Sequence, residues 1–186
     1  MAGIASLLGL PARGRHERAG FELYGAAVAA AREPYLYAAL GVPDTLDGRF
    51  DLVGLHAFLL IRRLRHMPEP GPALAQAVFD AMFADMDINL RELGVGDMSI
   101  GKRVRAMWEA FHGRAVAYEA AMDQPDNAQL AEAIGRNVWR NEPSPAGAAD
   151  ALARLARSQD AHLAGQPLAM LQRGEVGFLT AEMAAG

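Results

Sequence analysis

A carboxylate and an imidazole three residues apart on one helix share a face, the arrangement from which carboxylate-bridged metal sites in helical bundles are built. Glu109 and His112 stand in this relation in the 186-residue chain. Such a site needs two Glu-x-x-His pairs to surround its ions, and the sequence holds no second one. A helical metalloprotein using Glu109 and His112 is therefore the weakest reading, and a solvated helix flank is expected there. Asp85 and Asp87 do not converge on an ion either, because alternate helical residues diverge by about 200°. Asp87 is instead placed to pair with Arg91, four residues on. His56 lies among Leu52, Leu55, Leu59 and Leu60, where a hydrogen-bonded core histidine is expected.

The absence of cysteine removes thiolate metal sites, disulfides and cysteine nucleophiles together. No glycine-rich phosphate loop, nucleophile elbow or zinc-protease helix occurs. The expectation is no catalytic residue, no metal and no cofactor, hence a binding protein and not an enzyme. Charge is uneven: residues 1–66 carry eight Arg against six acids, about +2, and residues 67–186 carry ten basic residues against sixteen acids, about −6. An acidic bulk gives no broad phosphate-binding face, so DNA is not an expected partner. The longest apolar run, Leu52 to Ile61, is ten residues interrupted by His56, against roughly 20 needed to span a bilayer.

The elements that position these residues are helical throughout. Phe21, Tyr24 and Val28 space a first helix that stops before Pro34, and residues 35–40 form a short second one ending at Gly41. Phe50 to His66 is apolar on most sides and closes on Arg62, Arg63 and Arg65, cations that suit the exposed carbonyls of a helix end. Residues 73–93 place Leu74, Val78, Met82, Met86 and Leu90 on one stripe; Ser99 to Met122 does the same with Ile100, Val104, Met107, Phe111, Tyr118 and Met122. Four of the nine methionines, Met82, Met86, Met107 and Met122, fall on such stripes, as gap fillers between helices or lining of an adaptable groove. Asp126 with Gln129 predicts a capping box, and Ser144-Pro145 predicts the start of a further helix running to about Gly165.

With no period-two pattern and few β-branched residues, the class is all-α: one compact, non-repeat bundle of about six to seven helices without a sheet. Residues 1–18 are expected as a flexible or membrane-proximal lead-in, 19–165 as the folded domain and 166–186 as a partly ordered tail. A rival to a soluble role is peripheral membrane binding, with Ile4, Leu7 and Leu8 inserting beside Arg13, Arg15 and Arg18.

Two connectors share wording. Leu40-Gly-Val-Pro-Asp44-Thr-Leu-Asp-Gly48 and Leu93-Gly-Val-Gly-Asp97-Met-Ser-Ile-Gly101 agree at Leu, Gly, Val, Asp and the final Gly. Two convergent helix ends account for this better than duplication. Glycine just past a helix turns left-handed cheaply, valine folds back on the last turn, and Asp97 or Ser99 is expected to cap the next helix.

Residues 31–52, Ala-Arg-Glu-Pro-Tyr-Leu-Tyr-Ala-Ala-Leu-Gly-Val-Pro-Asp-Thr-Leu-Asp-Gly-Arg-Phe-Asp-Leu, together with Phe79 to Val104, Phe111, Gly113, Arg114, Tyr118 and Arg136 to Arg140, resemble the ubiquinol-cytochrome c chaperone family. The resemblance covers residues 20–140 or so, with His112 where tyrosine is expected. It implies an all-helical assembly factor of the cytochrome bc complex that holds newly made cytochrome b. In mitochondrial members it also implies the ribosome exit region and a small partner subunit as partners. It implies a cytoplasmic protein, peripheral at the cytoplasmic face of the inner membrane. Client contact is expected at the two connectors and their flanks. Asp44, Asp47, Arg49, Asp97, Lys102 and Arg103 would form the rim, with Tyr35, Tyr37 and Phe50 as apolar anchors.

Overall fold

The computed structural model describes residues 10–140 and 142–186, with side chains from His16 onward. The described residues form helices and connectors without a strand: α1 (Leu10–Ala31), α2 (Pro34–Ala38), α3 (Leu46–Arg65), α4 (Gly71–Glu92), α5 (Asp97–Met122), α6 (Ala128–Val138), α7 (Ala148–Ala164), α8 (Leu168–Leu171) and α9 (Ala181–Ala185). Ile4, Leu7 and Leu8, and the side chains of Arg13 and Arg15, lie outside the described residues.

The most apolar helix becomes the centre. Thr45 starts α3 by accepting the Gly48 amide on its hydroxyl at 3.1 Å. From Leu52 onward Leu55, Ala57, Phe58, Leu59, Leu60 and Leu64 are all buried, because α1, α4, α6 and α7 pack around the helix. The predicted α4 stripe of Leu74, Val78, Met82, Met86 and Leu90 is buried as a unit. α1 crosses α4 closely: a Cβ at Gly20 would lie 2.7 Å from Ala77 backbone atoms, so only glycine permits this approach.

Both connector glycines are left-handed as expected, Gly41 at φ 67° and Gly94 at φ 76°. After α4 the Val95 amide reaches Leu90 O and the Gly94 amide reaches Arg91 O, a Schellman end. After α2 the Val42 amide reaches back one residue further, to Leu36 O, so the shared wording produces similar but not identical turns.

Four boundary expectations are corrected. α1 begins at Leu10, upstream of Ala19, and an Arg18–Glu22 pair at 2.9 Å spans the turn at that point. α5 begins at Asp97 behind Gly96, and neither Asp97 nor Ser99 caps it with a side chain. α6 has no capping box; Asp126 accepts the Ala128 amide in a local turn. α7 starts only after left-handed Gly147, three residues past Ser144-Pro145.

The tail is the larger correction, for it belongs to the core. Leu171, Ala181, Ala184 and Ala185 are buried. The Gln166 amide brackets Gly177 with bonds of 2.6 and 2.9 Å, and Gln159 does the same for Leu179 at 2.8 and 2.9 Å. The Ala181 amide donates to Glu33 Oε2 at 2.7 Å. Two glutamines and a glutamate thus satisfy an irregular segment that helical periodicity cannot reveal. Phe178 closes edge-on over His56 at 5.7 Å.

Candidate functional site

Of the chemistry-bearing groups, His56 is a core residue as expected. Its Nδ1 lies 2.8 Å from Leu52 O, and burial holds its pKa below the usual histidine value. Glu109 pairs with Arg105 at 3.0 Å on an exposed face, and the His112 ring stacks flat on Trp108 at 5.3 Å. Among the described residues no group of three or more His, Asp or Glu converges as a metal site would. Asp87 pairs with Arg91 at 2.7 Å as the spacing predicts.

A groove of about 590 Å³ opens between α1, α3, α4 and α5. Its apolar lining is Val28, Leu46, Phe50, Val53, Met86, Leu90, Leu93 and Met107; Ala106 and Ala110 are too short to fill it. α5 makes the groove possible because its two halves differ. From Asp97 to Ala110 only Ile100 is buried, whereas Phe111, Tyr118, Ala121 and Met122 lock the second half into the core. Phe79, Phe83 and Phe111 meet with ring centroids 4.7 to 6.3 Å apart, at the point where the helix leaves the core. At the mouth Leu46 and Leu93 are each 62% exposed, an unusual cost for leucine unless something covers them.

Two of the lining arginines, Arg114 and Arg140, converge on Asp51, which is not itself part of the lining and whose side chain is fully buried. Arg114 Nη2 lies 2.7 Å from Asp51 Oδ1 as an ion pair without hydrogen-bond alignment, and the Arg114 guanidinium also lies 5.3 Å from the Phe50 ring centre. Arg140, held at φ 54°, bridges Asp51 at 3.5 Å and Asp47 at 3.2 Å. Burial outweighs both arginines and pushes the Asp51 carboxyl up to about 6. The Tyr24 hydroxyl donates to Asp85 at 2.8 Å, and burial with this bond pushes its pKa well up.

Four of the nine sequence candidates line the groove: Asp47, Arg49, Phe50 and Arg103. Asp44 lies on the rim, bound to Arg49 at 2.6 Å. Asp97 turns to Arg91 at 2.8 Å, and Lys102 is exposed beside Arg103; neither is part of the lining. Tyr35 and Tyr37 are half-buried against the core outside the groove, and the Tyr37 hydroxyl donates to Ala31 O. Arg32, Asp51, Arg114 and Arg140 were not singled out as site residues from sequence. A lone acid early in an apolar helix, Asp51, was the available signal, because burying a carboxylate demands cationic partners.

The arrangement offers guanidinium donors around an adaptable apolar trough, which is chemistry for holding a polypeptide. The sequence model of the family described as "Ubiquinol-cytochrome C chaperone" matches residues 38–178, most of the chain and nearly all of the groove. Ubiquinol-cytochrome-c reductase complex assembly factor 1 of Xenopus laevis is 23% identical over 101 residues, 54% of this chain and 50% of that protein, so the match spans half of that relative's length. The crystal structure of the Cbp3 homolog from Brucella abortus superposes with a TM-score of 0.81 at 32% identity, covering 96% of this chain and 98% of the other. The chain belongs to the ubiquinol-cytochrome c chaperone family.

Proposed function

We propose that this protein is an assembly chaperone of the ubiquinol-cytochrome c reductase complex, and that it holds newly made cytochrome b in the groove between α1, α3, α4 and α5. The observation that carries the site is an apolar trough with exposed Leu46 and Leu93 at its mouth and arginines around it, within the family-matched region except for Tyr24, Val28 and Arg32. A holding factor needs apolar contact that shields its client and polar contacts that release it, and no reacting centre. No described helix is long and apolar enough to cross a membrane. The role suits a peripheral protein at the cytoplasmic face of the inner membrane, meeting its client as it is made. The ribosome exit region and a small partner subunit belong to the same proposal.

Deleting the gene and recording reduced-minus-oxidised spectra tests the role. The expected result is loss of the assembled bc complex with other cytochromes intact; a normal spectrum overturns it. Restoring the strain with an Arg49→Glu, Arg103→Glu chain tests the site. Helicity should be unchanged while cytochrome b co-purification falls, and undiminished co-purification removes these residues from the contact.

A further inference from the structure

Five guanidiniums line the groove, from Arg32, Arg49, Arg103, Arg114 and Arg140, against the two carboxylates of Asp47 and Asp85. This local excess of positive charge sits in a chain of net charge −4. Both carboxylates are engaged, Asp47 by Arg140 at 3.2 Å and Asp85 by the Tyr24 hydroxyl at 2.8 Å. Three guanidiniums are engaged as well: Arg49 with Asp44, and Arg114 and Arg140 with Asp51. Arg32, in the turn just after α1, and Arg103 on α5 form no ion pair among the described residues, and both are exposed. Among the described residues the groove lining therefore has two guanidiniums without an acid, against one carboxylate, Asp85, whose partner is a hydroxyl and not a cation.

We propose that the client segment seated in this groove is an apolar stretch carrying at least one Asp or Glu, which Arg32 and Arg103 engage; this rests on the groove being the client site. A cationic segment would meet five arginines and, as the lining acid without a cationic partner, only Asp85, which already accepts the Tyr24 hydroxyl, an arrangement that disfavours it. A wholly apolar segment would fill the trough but leave two guanidiniums at its edge partly desolvated without a counter-charge. An acidic amphipathic segment satisfies both features. Charge complementarity also gives the factor a means of choosing one stretch among many apolar ones in a membrane protein, since apolar contact alone discriminates poorly.

The test uses the full chain with the photo-crosslinker p-benzoylphenylalanine at Leu93, co-expressed with cytochrome b. The crosslinked peptide is identified by mass spectrometry, and its acidic residue is then changed to Lys. The expected result is a cytochrome b segment containing Asp or Glu, with crosslink yield reduced about tenfold or more by the acid-to-Lys change. An Arg32→Glu, Arg103→Glu chain should restore that yield to within about threefold, a charge-swap rescue that mere structural damage does not produce. Circular dichroism of the double variant confirms folding, and Arg103→Glu alone serves if the pair does not fold. A captured cytochrome b segment without an acid, or a yield indifferent to the charge swap, overturns the proposal and leaves the groove as client site. A crosslink to lipid or to other polypeptides only, or none, overturns the groove assignment and the proposal with it.

Discussion

Two arginine clusters in this fold have opposite fates. At the end where α3, α5 and α7 meet, Arg62 forms ion pairs with Asp160 at 3.0 Å, Glu119 at 3.2 Å and Asp123 at 3.4 Å. Burial works against its charge, but the three acids outweigh it and hold its pKa above the usual arginine value. Arg157 closes the end of α5 by donating to the carbonyls of Met122, Ala121, Gln124 and Asp126 at 2.6 to 3.2 Å. Arg63 donates to Gln166 O, tying the tail down. At the groove, by contrast, Arg32 and Arg103 have no acid partner among the described residues. One cluster is internal fastening; the other leaves two guanidiniums facing the groove, where the proposed client would sit. The basic end of α3, read from sequence as compensation for exposed carbonyls, turns out to reach across to other helices.

The contrast can be broken most forcefully at the fastened end. A chain stopped after Gly165 loses buried Leu171, Ala181, Ala184 and Ala185 and uncovers His56. A stability loss of about 5 kcal/mol or more is expected, read as a collapse of the denaturant midpoint; an unchanged midpoint would show that the tail is not part of the core.

Arg157→Ala leaves several carbonyls without their charged donor. It should cost about 2 to 3 kcal/mol, a fall of roughly 5 to 10 °C in Tm, without a specific defect in client capture.

Asp51 joins the two behaviours, being buried in the core yet paired with groove arginines. Its folded pKa of about 6 lies above the unfolded value of about 3.9. Between those values the folded protein holds a proton that the unfolded chain has released. The contribution is therefore fully present below about pH 4 and lost as pH rises through about 6, by roughly 2 to 3 kcal/mol. His56, with its pKa depressed, works in the opposite direction, contributing above about pH 6.5 and less as pH falls. The difference in unfolding free energy between the wild type and Asp51→Asn isolates the Asp51 slope; parallel pH curves for the two chains would contradict it.

The smallest stability effect belongs to the groove. Arg103→Glu should shift stability by no more than about 0.5 kcal/mol, since the side chain is exposed and forms no ion pair among the described residues. Client capture should nevertheless fall, the reverse of the Arg157→Ala pattern. A large loss of Tm would place Arg103 with the fastened cluster instead.

Much of this was legible in the sequence. The stripes of α4 and α5, the left-handed glycines and the Asp87–Arg91 pair are local or periodic properties, so residue spacing alone determines them. Family membership was likewise carried by contiguous wording around the two connectors. The tail was illegible because its order comes from Gln159, Gln166 and Glu33 reaching it across the fold, with no repeat of its own. Half of the groove was illegible for the same reason. Asp47, Arg49, Phe50 and Arg103 lie in or next to the distinctive connectors, but Arg32, Arg114 and Arg140 join them only after α1, α5 and the end of α6 have packed. The sequence determines which residues are charged and which helix face they occupy. Which guanidiniums find a carboxylate, and which are left facing a groove, is decided by distances between helices that exist only in the folded protein.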